Sequence, residues 1–155
     1  MDLDTSPADH RVSVRALTDA DLDRLTRLDK AWTGRSRREW LQARLTRAGD
    51  TGSIALCFGA EVDGSLVGAL LGNVQFGEYG QPEPTAILDT LLVDQAFSGQ
   101  GVGRALMEQL RRNLVALRIE TVRTEVGWQE QRLIGFLAKN GFQPAPRLVL
   151  ELEIG

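Results

Sequence analysis

Three glycines at alternate positions, Gly99, Gly101 and Gly103, lie between an apolar run ending at Val93 and an amphipathic run starting at Val102. The stretch FSGQGVGRAL leaves the backbone nearly bare where a helix should begin. Within regular structure each glycine costs about 0.5–1 kcal/mol relative to alanine, so three together ask for a reason. Three readings compete: a phosphate cradle, a dinucleotide fingerprint and an ordinary flexible turn. A dinucleotide turn needs G-x-G-x-x-G directly after the first strand, but its third glycine would fall on Arg104, and five residues (DQAFS) separate Val93 from Gly99. A Walker A loop fails because no Gly-Lys-Ser/Thr occurs. A plain turn needs one glycine, not three. Successive bare N–H groups at a helix N-terminus form a concave anion site aided by the helix dipole, and a pyrophosphate suits that description.

The flanking sequence predicts the frame around this loop. VSVRAL from Val12 alternates as a strand. Thr18 and Asp21 resemble a capping box before Leu22, Leu25, Leu28 and Trp32 recur at helical spacing, and Ser36 with Glu39 repeats the signal before a second helix stopped by Gly49. SIALCFGAEV and SLVGALLGNVQF flank Asp63-Gly64, a type I′ hairpin signal, and GEYGQPEPT is a loop. AILDTLLV reads as a central strand covered on both faces. Val102, Leu106, Leu110, Leu114 and Leu117 mark a helix stripe; TVRTEV follows as a strand, and Gln129 to Asn140 as a helix closed by Asn140-Gly141. RLVLELEI alternates strictly from Arg147 to Ile154 and reads as a closing strand. The expected architecture is a mixed, mostly antiparallel α/β sheet of six to seven strands with about four helices, in a single domain over residues 11–155 behind a disordered lead, 1–10.

At 155 residues with 43% apolar and 25% charged residues, the chain fits one soluble domain. A net charge of −3 argues against nucleic acid as a partner. No window approaches the about 20 apolar residues needed to span a bilayer, so no membrane role is expected. One histidine, His10, and one cysteine, Cys57, make a metal site or a Ser-His-Asp arrangement improbable. Cys57, in the apolar run IALCF, reads as a buried thiol in a reducing, cytoplasmic setting.

VDQAFSGQGVGRAL after an apolar strand resembles the acyl-CoA signature of the GNAT superfamily of N-acetyltransferases, whose pattern is Arg/Gln-x-x-Gly-x-Gly/Ala opening a helix. Gly101 and Gly103 take the glycine positions, and Ser98 departs from the usual Arg/Gln. The element order and the Gly141-Phe142 ending extend the resemblance over about residues 11–154. It implies a central parallel strand pair splayed at a cofactor cleft. Backbone groups of Ser98, Gly99, Gln100, Gly101, Val102, Gly103 and Arg104 would hold the pyrophosphate of acetyl-CoA, and Leu92 and Val93 would pair with its pantetheine arm. The implied activity is acetyl transfer from acetyl-CoA to a primary amine of a small molecule, peptide or protein. A competing reading is an acyl-CoA-binding sensor without efficient catalysis. Glu125 stands where some members place a general base, and Asp89, a carboxylate inside an apolar strand, is the second candidate. The tyrosine that many members use as acid corresponds to Leu137, which leaves Tyr79, the only tyrosine, or water. Lys139 reads as a solvated side chain that could reach the cofactor's distal phosphate. Core packing is expected for Trp32 and Trp40. The C-terminal alternation, with family habit, suggests a homodimer contact.

Overall fold

A computed structural model describes residues 11–49 and 55–155 of the chain. The N-terminal lead with His10, and Ser53-Ile54 of the second expected strand, lie outside the described residues. The chain runs β1 (Val12–Ala16), α1 (Leu22–Thr33), α2 (Arg38–Ala48), β2 (Ala55–Val62), β3 (Ser65–Gln75), β4 (Thr85–Val93), α3 (Val102–Leu117), β5 (Val122–Arg123) and α4 (Gln131–Lys139). The strands form one sheet in chain order, β1 to β5. The first four are antiparallel, and β4 and β5 are parallel.

Local chemistry sets most boundaries. The N–H of Thr18 donates to Asp21 Oδ2 at 2.8 Å, ahead of α1, and Gly34 ends that helix at φ +76°. Asp63 and Gly64 both take positive φ, as a type I′ turn requires, and close the β2–β3 hairpin. Phe142 N–H reaches back to Leu137 O and Gly141 takes φ +92°, which terminates α4 in a Schellman turn.

Two cores flank the sheet. On one face α3 and α4 bury Val102, Leu106, Leu110 and Phe136 against Leu56, Leu70 and Leu88. On the other face α1 and α2 bury Leu25, Leu28, Leu41 and Leu45 against Cys57, Leu71 and Leu92.

Several expectations need correction. Among the described residues the sheet has five strands, not six to seven. Among the described residues RLVLELEI joins no ladder: residues 143–155 are exposed and without regular secondary structure. Of TVRTEV only Val122 and Arg123 pair with β4. Ser36 does not cap α2; the cap is Arg37, whose guanidinium binds Asp29 at 2.9 and 2.5 Å. Trp32 and Trp40 are each 38% exposed rather than in the core. The guanidinium carbons of Arg37 and Arg44 lie 4.4 and 5.2 Å from the Trp40 ring centroid.

Candidate active site

The site grows from an irregularity in β4. Leu88 pairs with Gly72 and Thr90 with Leu71, so Asp89 is an extra residue with no partner on β3. Such a bulge puts two neighbouring side chains on one face of the sheet. Asp89 and Thr90 both turn toward α2: Arg44 Nη1 lies 2.9 Å from Asp89 Oδ1, and Thr90 Oγ1 donates to the same oxygen at 2.8 Å. Asp89 Oδ2 has no hydrogen-bond partner among the described residues. Gly72 makes room for the bulge, because a Cβ there would meet the Ile87 carbonyl oxygen at 2.4 Å. Cys57 lies on this face, and burial pushes its thiol pKa up.

The same bulge resets which backbone groups face outward. Asp94 N–H donates to Val67 O at 2.8 Å, so by alternation Leu92 also bonds to β3, while Leu91 and Val93 turn their N–H and C=O away from it. On that side β5 is missing. Its ladder with β4 ends at Ile87–Arg123, and Thr124 Oγ1 then donates to Leu88 O at 2.7 Å. In a continued parallel ladder that carbonyl would accept from the amide of residue 125. The Thr124 hydroxyl takes that place, and beyond it the two strands part. The result is a slot whose wall is the free edge of β4 from Asp89 to Val93.

The slot runs into the glycine loop. Asp94 accepts from Ala96 N–H at 2.9 Å and pairs with Arg24 of α1 at 2.6 Å, which fixes the turn between β4 and α3. Gly99 and Gly101 take φ +79° and +78°, conformations that L side chains rarely adopt. Gly103 lies inside the first turn of α3 and is buried. The first intrahelical bond runs from Ala105 N–H to Gly101 O, so the amides of Val102, Gly103 and Arg104 have no acceptor within the helix. Helix α3 can sit this close to the sheet because residue 68 is glycine, where a Cβ would meet Val102 Cγ1 at 2.6 Å. Arg104 pairs with Glu108 one turn on, and Gln100 Oε1 accepts from Arg11 at 3.2 Å. The Ser98 N–H is taken up by Gln95 O. Beside the end of β4 a cavity of about 250 Å³ is lined by Arg24, Arg27, Leu28, Val93, Asp94 and Gln95, with Arg24 held by Asp94 and Arg27 exposed beside them.

The remaining expected residues stand apart. Glu125 is exposed one residue beyond Thr124, at the mouth of the slot, with no hydrogen bond or ion pair among the described residues. Tyr79 is 89% exposed at the tip of the β3–β4 loop, at φ +52°. No hydrogen bond or ion pair joins Tyr79, Glu125 and Asp89 among the described residues. Leu137 packs in the core, and Lys139 is exposed on the last turn of α4. Sequence reading missed Leu91, whose backbone faces the slot, and Arg44, which holds Asp89. The only clue to either was the charged residue interrupting AILDTLLV.

Residues 18–142 match the family described as Acetyltransferase (GNAT) family. No curated protein sequence matches the chain. Among solved structures, the chain is similar to an aminoglycoside acetyltransferase, meta-AAC0020, from an uncultured soil metagenomic sample in complex with trehalose. The identity is 20%, the TM-score 0.72, and the match covers 94% of this chain and 97% of that one. It is also similar to the aminoglycoside N-acetyltransferase AAC(6')-Iy in complex with CoA, at 15% identity and TM-score 0.78, covering 96% and 98% of the two chains. A third similar structure is a ribosomal-protein-alanine N-acetyltransferase from Brucella melitensis biovar Abortus 2308, at 18% identity and TM-score 0.75, covering 93% and 99%. At these identities the likeness is one of fold.

Proposed function

The chain belongs to the GNAT acetyltransferase family, and from that premise we propose that it transfers an acetyl group from acetyl-CoA to a primary amine of a small molecule, peptide or protein. One observation carries the reading: the free β4 edge at Leu91 and Val93 leads straight to the open amides at the start of α3. An extended pantetheine amide chain can add to that edge as a strand would. A diphosphate can take the amides of Val102, Gly103 and Arg104 beside the glycines, where the helix dipole favours negative charge. Arg27, exposed at this end, adds to that attraction. Ser98 supplies no charge at this end, so binding rests on backbone donors.

For the acceptor, the free Oδ2 of Asp89 is a docking point for an ammonium group. Arg44 and Thr90 hold the other oxygen, so the carboxylate is already oriented when the amine arrives. Transfer needs that ammonium to lose a proton. Glu125, unpaired and open to water at the slot mouth, is the acceptor for it, directly or through one water. The amine nitrogen then attacks the thioester carbonyl carbon and sheds its second proton to water, the C–S bond breaks, and the CoA thiolate leaves. Its proton comes from water or from Tyr79, the only phenol in the chain.

The test is release of free CoA thiol across a panel of primary amines, with Glu125→Gln, Asp89→Asn and Tyr79→Phe beside wild type. The reading expects acetylated amine and thiol in equal amounts, with the first two variants slowed. Acetyl-CoA binding with no turnover of any amine would instead favour the sensor reading. Stabilisation by NAD but not by acetyl-CoA would defeat both.

A further inference from the structure

Charge is spread unevenly along this chain. From Lys30 to Arg47 six arginines and lysines stand against one acid, Glu39, whereas the whole sequence has 18 against 21. The stretch spans the end of α1, the turn after it and nearly all of α2. Three of its cations meet acids: Arg37 meets Asp29, Arg38 meets Asp23 and Arg44 meets Asp89. Lys30 and Arg35 are exposed and pair with no acid among the described residues.

Arg37 is held in a way that leaves half of its guanidinium unused. Its Nε and Nη2 donate to the two oxygens of Asp29, a fully buried carboxylate, so one edge of the group is fixed. A guanidinium carries five N–H groups, and this pair occupies two of them. Nη1 makes no hydrogen bond among the described residues, and the side chain is 26% exposed. The edge formed by Nη1 and Nη2 is therefore a spare fork, already oriented, of the shape that grips a carboxylate through two parallel hydrogen bonds. Asp29 offsets the charge of Arg37; Lys30 beside Asp29 and Arg35 two residues before Arg37 keep the neighbourhood positive.

The fork lies next to the acceptor side of the cleft. Arg37, Trp40 and Arg44 stand at i, i+3 and i+7 and so share one face of α2 and its cap. Both guanidinium carbons approach the half-exposed Trp40 ring, and Arg44 at the far end holds Asp89 Oδ1. Hydrogen bonding to Asp29 raises the Arg37 pKa, and the charge of Asp89 adds to it, so Arg37 is within electrostatic reach of the cleft carboxylate. Seven residues at 1.5 Å each separate the two arginines by about 10 Å along the helix axis. An extended peptide covers that distance in about three residues.

We propose that the spare edge of Arg37, beside Trp40, is a carboxylate subsite that selects as acceptor a peptide whose amine sits on Asp89 and whose second or third residue is acidic. The assignment rests on the acetyl-transfer reading above. The acidic side chain accepts from Nη1 and Nη2 of Arg37, and the peptide between the two charges crosses the Trp40 ring. A free amino acid is too short for this, because one carbon separates its charges. A polycationic amine is repelled by Lys30, Arg35 and Arg37. A long polyanion is disfavoured in turn, since acids are in excess everywhere outside this stretch.

Three tetrapeptide amides with a free N-terminal amine test this on the full chain. They differ only in residues two and three, which are both Glu, both Gln or both Arg. Calorimetry should show the Glu peptide bound about tenfold or more tighter than the Gln peptide, with the Arg peptide weakest, and thiol release should rank kcat/KM in the same order. Arg37→Lys keeps a cation for Asp29 but has no second edge to offer. Asp29→Asn/Arg37→Gln replaces the ion pair by two amides and serves if the lysine variant does not fold. Either should weaken the Glu peptide about tenfold more than the Gln peptide, whereas a merely structural role would weaken both alike. Equal binding of the three peptides, or equal losses in the variants, would overturn the subsite. Selective binding of the Glu peptide with no thiol release would uphold the subsite and defeat the transfer reading; thiol release from all three at one kcat/KM would do the reverse.

Discussion

Arg44 Nη1 lies 2.9 Å from Oδ1 of Asp89, and this contact ties α2 to the one residue of β4 that has no partner on β3. The arginine side chain is 9% exposed and the aspartate 29%, so the pair stands half in the core and half in the cleft. Replacing Asp89 by asparagine keeps the shape and removes the charge. Steady-state kinetics with a cationic amine should then show KM raised about tenfold or more, with a smaller change in kcat, as loss of a charge-assisted contact to the bound acceptor would give. Arg44→Met should lower stability by about 1–3 kcal/mol in urea unfolding, because it strips Asp89 of its main partner.

The glycine loop can be tested by comparing two of its members. Gly101→Val forces a branched side chain into φ +78° at the N-cap of α3, beside the open amides. Backbone strain of about 1–3 kcal/mol is expected, and acetyl-CoA affinity measured calorimetrically should fall about tenfold or more. Gly99→Ala should cost less, because a Cβ there meets nothing within 4 Å and only its positive φ opposes the change.

Gly72 answers a different constraint. Its φ is ordinary, but a Cβ would press on the Ile87 carbonyl, which is backbone and cannot move aside. Gly72→Val should destabilise the fold by about 3 kcal/mol, read as a lower urea midpoint with an unchanged slope. A midpoint equal to wild type would mean that the bulge can shift to make room.

The sequence carried the frame of the molecule because each signal there was local. The Asp63-Gly64 turn, the Leu22-Leu25-Leu28 stripe and the Asn140-Gly141 stop all act within a few residues, and all appear as expected. The glycine loop was legible for the same reason. What stayed hidden depended on partners far along the chain. Nothing local shows that Asp89 is a bulge, since that is a matter of register with β3, and so the outward turn of Leu91 could not be read either. The alternation in RLVLELEI read as a closing strand, yet among the described residues the segment joins no ladder, because alternation does not say whether any sheet accepts it.

An acid limb of stability should trace to Asp21. Its hydrogen bonds with Arg15, at 2.7 and 2.8 Å, hold its carboxyl below the ordinary value of 3.8, with the Thr18 amide assisting. A carboxyl lowered in the folded state stabilises that state above its unfolded pKa, and the contribution is lost as pH falls through the folded value. Wild type should therefore lose stability as pH falls below about 4 and through the lowered folded value, and Asp21→Asn should be weaker at pH 7 with a flatter acid limb. Parallel curves for the two proteins would assign the acid sensitivity to other groups.

The hydroxyl of Thr124 has a consequence for how the cleft behaves between turnovers. By satisfying Leu88 O at the point of divergence, it lets two parallel strands separate without stranding a carbonyl in the interior. The gap is therefore a standing part of the resting protein, and no arriving molecule has to prise the sheet apart to enter.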